Sequence, residues 1–212
     1  MDKEDILKKC CTKTCSWNNP ITCHNVILNH INLTGNDCKF LSTICVHTLK
    51  LFNNNIDPDC AKYLARNKTI HTLELNYNNI GDNGAKYLAR NNTIHTLNLG
   101  GNEIGDDGAK YLSENETIHT LDLNYNEIRN NGAKYLAKNN TIHTLDLSIN
   151  NIGPDGAKYF LKAIIPNLIF DYDYIGKTSK DNYEKYMQEI NNIIQKYIIK
   201  DITNIIISYT KH

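Results

Sequence analysis

Residues 69–92 read TIHTLELNYNNIGDNGAKYLARNN, and residues 93–116 read TIHTLNLGGNEIGDDGAKYLSENE. The phrase returns at 117–140 as TIHTLDLNYNEIRNNGAKYLAKNN and at 141–164 as TIHTLDLSINNIGPDGAKYFLKAI. Self-similarity at a fixed period is read before any local feature, because it decides the architecture. Val46, Ile70, Ile94, Ile118 and Ile142 open five units spaced by 24 residues. Worn copies flank them: Val26, Leu28 and Leu33 on one side, and Ile165, Leu168, Phe170 and Ile175 on the other. Six or seven coils are expected.

Within a unit the apolar period switches. Leu73-Glu74-Leu75 alternates as a short, half-buried strand does. Asn78 follows at a turn, where its amide can satisfy backbone groups left bare by a non-helical bend, and Asn54, Asn102, Asn126 and Asn150 repeat it. In GDNGAKYLARN, Asp82 or Asn83 is expected to cap a helix, Ala85 and Leu88 share one face, and Asn91 suits a left-handed helix end. A helix of two turns is too short to stand alone in water. Neighbouring coils must therefore bury Leu73, Leu75, Ile80, Ala85 and Leu88 jointly, which is the logic of a solenoid.

The LxxLxLxxNxI pattern with GAKYLA after it resembles the leucine-rich repeat, in its short, ribonuclease-inhibitor-like, GALA-type form. The resemblance is strong over 46–164 and looser over 23–176. It implies an α/β fold: a horseshoe-arc solenoid with parallel strands on the concave face, short helices on the convex face, and terminal caps. The expected organisation is an N-terminal cap at 1–22, repeats at 23–176 and a C-terminal helical cap at 177–212. Cys60 stands where the other units have Gly84, Gly108, Gly132 and Gly156, and Arg129 replaces the Gly of IG.

The 212 residues carry 23 basic and 23 acidic side chains, interspersed, so no global field recruits nucleic acid or an anionic membrane. No apolar run approaches a bilayer span, and the start, MDKEDILKKCCTKTC, lacks a signal-peptide core. A cytoplasmic, monomeric protein is expected. All seven cysteines lie in the first 60 residues, and their odd number argues for reduced thiols. Cys10, Cys11, Cys15, Cys23 and His24 lack paired C-x-x-C spacing, so buried thiols are preferred to zinc there. The column His47, His71, His95, His119 and His143 is linear, without the tetrahedral convergence zinc prefers. Neither set is assigned a metal, and no cofactor is expected. The Tyr63, Tyr87, Tyr111, Tyr135 and Tyr159 column beside lysines is read as packed rings under solvated cations in preference to a nucleic-acid stripe.

The informative positions are those that differ between copies. On the outward strand face one column reads Lys50, Glu74, Asn98, Asp122, Asp146. The next two positions read Phe52-Asn53, Asn76-Tyr77, Gly100-Gly101, Asn124-Tyr125 and Ser148-Ile149. Exposed Phe52, Tyr77, Tyr125 and Ile149 among polar neighbours fit interface anchors with adaptable contacts around them. Drift at solvent positions under no demand is the competing explanation. No nucleophile with a base, convergent carboxylates or phosphate loop stands at a recognisable spacing. The expectation is a non-catalytic module that binds a protein on its concave face. The alternative is an adapter in which the amphipathic segment holding Tyr183, Tyr186, Met187, Ile190, Ile193, Ile194 and Tyr197 recruits a second protein, such as ubiquitin-ligase machinery.

Overall fold

A computed structural model describes residues 22–163 and 165–169. Most of the expected N-terminal cap, the first three cysteines and the whole expected C-terminal cap, with its adapter alternative, lie outside the described residues.

Strands and short helices alternate along the chain. The strands are β1 (Thr22–Ile27), β2 (Cys45–Lys50), β3 (Thr72–Glu74), β4 (Thr96–Asn98), β5 (Thr120–Asp122), β6 (Thr144–Asp146) and β7 (Asn167–Ile169). The helices are α1 (Gly35–Leu41), α2 (Pro58–Leu64), α3 (Gly81–Leu88), α4 (Asp106–Ser113), α5 (Asn130–Leu136) and α6 (Pro154–Ala157), the last running into a 3-10 turn at Lys158–Lys162. The strands pair in chain order, all parallel, in one open sheet. Register holds throughout: Val26, Leu49, Leu73, Leu97, Leu121, Leu145 and Leu168 are successive partners across it. The short strands start one residue earlier than LEL suggested, so Thr72 pairs and Leu75 begins the bend.

Parallel strands pack about 4.8 Å apart whereas helices need about 10 Å, so stacking coils must curve with the sheet inside. Between the layers Leu73, Leu75, Ile80, Ala85 and Leu88 are fully buried, and their equivalents continue the core from Val26 to Ile152. The solvent side of β3, β4, β5 and β6 stays half-exposed.

Two asparagine ladders stitch the coils. Asn78 donates to the carbonyls of Leu51, Leu75 and Asn76 and accepts from the amides of Asn54 and Ile56. Asn54, Asn102, Asn126 and Asn150 likewise donate to carbonyls of their own and the preceding coil. The second ladder, Asn67, Asn91, Asn115 and Asn139, corrects the helix-end assignment. Asn91 is buried and does not adopt a left-handed backbone. Its amide donates to Ala65 and Asn67 carbonyls and its oxygen accepts from the amides of Thr93 and Ile94.

Helix capping also differs from expectation. Asp82 does not cap its own helix; its Oδ1 accepts from Gly105 and Gly108 amides at the start of α4, one coil later, at 2.8 and 2.9 Å. Asp106 does the same for Arg129 and Gly132, and Asn130 for Gly153. The repeated glycine is what lets the carboxylate in: a Cβ on Gly108 would lie 2.5 Å from Asp82 Oδ1. Arg129 costs nothing in place of Gly, since its φ of −115° is close to the −100° of Gly105.

The expected reduced thiols are also corrected: Cys38 and Cys60 form a disulfide with Cα atoms 5.3 Å apart. The repeat geometry explains it. A Cβ on Gly84 or Gly132 would touch the alanine Cβ of the preceding coil, Ala61 or Ala109. In α1 and α2 the same two positions, alanine then glycine, are occupied by Cys38 and Cys60. Cys45 is half-buried and free.

Candidate functional site

The outward column is brought together by strand register: Lys50, Glu74, Asn98, Asp122 and Asp146 are successive neighbours. Lys50 Nζ pairs with a Glu74 carboxylate oxygen at 2.8 Å. Further along, three side chains fold back onto the bend that follows their strand. Asn98, Asp122 and Asp146 each accept through Oδ1 from the backbone amide two residues on, at Gly100, Asn124 and Ser148. Short side chains that carry an acceptor suit this Asx-type turn, which is a structural reason for Asp and Asn there. Burial pushes the Asp122 carboxyl up, aided by the charge of Asp146, while hydrogen bonds from Asn124 and Asn98 oppose the rise.

Asn76, Asn124 and Ser148 are half-buried at the bend. Asn124 hydrogen-bonds Asp122, and its amide occupies the space a Cβ on Gly100 would need. The next residue in each coil is held at a left-handed backbone: Asn53 (φ 52°), Tyr77 (53°), Gly101 (66°), Tyr125 (51°) and Ile149 (53°). Asn and Gly take that conformation readily, whereas Tyr and especially β-branched Ile do so against steric resistance. Yet Tyr77 and Tyr125 remain 49% and 54% exposed.

The aromatic rings form a row along the sheet's rim. His30 meets Phe52 at 4.9 Å, Phe52 meets Tyr77 edge-on at 5.3 Å, and Tyr77 approaches Tyr125 to 6.1 Å at a 40° tilt. Tyr77 and Tyr125 belong to coils two apart. Their rings come so close because Gly101 lies between them: a Cβ there would sit 2.9 Å from Tyr77 Cδ1. A cavity of about 360 Å3 opens here, lined by Tyr77, Gly101, Tyr125 and Ile149 together with Glu103 and Glu127. The column from Lys50 to Asp146 does not line it.

The glutamates were missed by sequence reasoning. They occupy the position between ladder Asn and Ile, which reads Asn55, Asn79, Glu103, Glu127, Asn151 and is exposed in every copy. That column varies between repeats as the chosen ones do, so the same comparison could have found it.

The other columns are occupied with one another. His47, His71, His95, His119 and His143 stack face to face at 4.5 to 5.4 Å. Nδ1 of His71 and of His119 lies 2.9 and 2.7 Å from the carbonyls of Thr69 and Thr117, so in each ring that nitrogen carries the proton it donates. No group of three His, Cys, Asp or Glu among the described residues converges as metal ligands would. Lys62, Lys86, Lys110 and Lys134 each place Nζ 5.0 to 5.8 Å from the ring of the next coil's tyrosine. No helix among the described residues is long and apolar enough to cross a membrane.

No curated protein sequence matches the chain. Among solved structures, actin-binding site 2 of leiomodin-1 is similar at 18% identity and a TM-score of 0.45, over 72% of this chain and 96% of that one. A likeness of that degree carries no functional weight. The Leucine Rich repeat family model matches four consecutive segments, 66–89, 90–113, 114–137 and 138–161. These are the coils whose register, asparagine ladder and shared interior are described above, and residues 66–161 are leucine-rich repeats.

Proposed function

We propose that this protein is a non-catalytic module, of the short ribonuclease-inhibitor-like repeat class, that binds a protein partner on the concave face and rim of its sheet. One observation carries the reading. Tyr77 and Tyr125 are large, exposed and held at a left-handed backbone that Asn53 and Gly101 adopt more readily in sibling coils. Outliers of this kind cost of order 1 kcal/mol each and cluster where side chains bind something. Rigid tyrosines beside asparagines and a serine also have the composition of recognition surfaces. The balanced charge supports neither a nucleic-acid nor a membrane partner, and the reading takes the chain as a monomer without a cofactor.

The test compares wild type with a Tyr77→Ala/Tyr125→Ala double variant in affinity capture followed by titration of each captured protein. A partner retained by wild type and weakened at least tenfold by the double variant, at unchanged melting temperature, supports the reading. Equal affinity of every captured protein for both forms sinks it.

A further inference from the structure

Building on that reading, we propose that the cavity beside Gly101 receives a basic side chain, lysine or arginine, presented by the partner protein. The cavity has an aromatic wall. Tyr77 is backed edge-on by Phe52 and leans over Gly101 toward Tyr125, while Ile149 continues the wall in the next coil. Two exposed carboxylates, Glu103 and Glu127, complete it from successive coils. Neither takes part in a salt bridge among the described residues, where the ion pairs are Lys50–Glu74 and Lys158–Asp155.

The neighbouring charges point the same way. Asp122 and Asp146 stand side by side on the adjoining strand face, where their repulsion helps raise the Asp122 carboxyl, while Glu74 already has Lys50. The nearest cation in sequence, Arg129, follows Glu127 by two residues but stands at the N-cap just before α5 and makes no salt bridge among those described. An arriving ammonium or guanidinium would meet the negative faces of the rings and two carboxylates at once. An anionic side chain would meet like charge. A purely apolar one would desolvate both carboxylates without compensation.

Gly101 and the two tyrosines also explain the place. In other coils the corresponding residue fills the rim with Asn53, Tyr77, Tyr125 or Ile149. Where a glycine separates two tyrosines, a gap opens with aromatic and acidic walls together.

The full chain, 15N-labelled, is titrated with the peptide Ac-GRGRGRG-amide and with its analogue carrying Gln for each Arg. The expected result is amide shifts centred on Tyr77, Gly101, Glu103, Tyr125 and Glu127 with the arginine peptide. The Gln peptide should bind at least fivefold more weakly. Glu103→Gln/Glu127→Gln should weaken the arginine peptide at least fivefold at unchanged melting temperature. Equal binding of both peptides, binding insensitive to the double Gln variant, shifts confined to other acidic surfaces, or no binding by either peptide overturns the proposal. A partner lost by Tyr77→Ala/Tyr125→Ala but kept at full affinity by Glu103→Gln/Glu127→Gln would refute the basic side chain alone and leave the binding module standing.

Discussion

Removing the amide of Asn126 should cost about 4 kcal/mol, and the structure says which half of the amide matters. Asn126 Nδ2 donates to the carbonyls of Leu99, Leu123 and Asn124, each at 3.0 Å. All three keep another donor when Asn126 is truncated: Asn102 on Leu99, Asn150 on Leu123 and the Gly101 amide on Asn124. Oδ1 is different. It accepts from the backbone amides of Asn102 and Ile104 at 3.1 and 2.9 Å, and both residues are fully buried. In Asn126→Ala those two amides lose their acceptor, at about 1–3 kcal/mol each. Asn126→Asp separates the two halves: it keeps an acceptor for the amides but turns a carboxylate on the three carbonyls. Its deficit should shrink as pH falls and the introduced group becomes a donor. Urea denaturation gives the total, and hydrogen exchange at the Asn102 and Ile104 amides localises it. A loss below about 1 kcal/mol, with those two amides still as protected as in wild type, would refute the account of the ladder.

Three further outcomes follow. Closing a loop between residues 22 apart stabilises by about 3 kcal/mol in the chain-entropy account, so reductant should lower the wild-type melting temperature. It should leave Cys38→Ala/Cys60→Gly, which restores the pair seen at Ala61 and Gly84, unmoved. Asp122→Asn should raise the melting temperature at pH 7. Burial first, then Asp146, lifts the folded-state carboxyl above its ordinary 3.8, so the ionised form is the one penalised, and the gain should fade as pH drops toward that value. Asn98 already makes the same turn bond one coil earlier, so the replacement has a precedent; a gain that grows in acid would contradict the assignment. Tyr125→Asn should keep or raise stability, because Asn53 holds the same left-handed φ, while weakening partner binding; a clear drop in melting temperature would mean the ring serves the fold.

Much of the scaffold was legible because the repeat makes each copy a control on the others. Leu73, Leu75, Ile80, Ala85 and Leu88 could be placed inside from their constancy alone, and Asn78 from its position after a strand. What stayed hidden were the bonds that run from one coil to the next. Asp82 looks like a cap for its own helix because a single copy contains both the carboxylate and the helix start; only stacking reveals that it serves Gly105 and Gly108. Asn91 looks like a helix end for the same reason. The Cys38–Cys60 pair needed the knowledge that the glycine of one coil abuts the alanine of the coil before it.

The candidate site was legible only where it interrupts the repeat by an exposed aromatic. Tyr77, Tyr125 and Ile149 stand out as residues, but Glu103 and Glu127 hide among solvent positions, and a gap leaves no letter except glycine. The backbone at this rim position is left-handed whether the residue is Asn53, Gly101 or Tyr125, so the conformation belongs to the scaffold and not to the side chain. Asn or Gly in every coil would satisfy it with less strain. Positions 53 and 101 carry those residues. Tyrosine on both sides of one glycine is therefore the feature the fold does not explain, and it coincides with the cavity lined by Glu103 and Glu127.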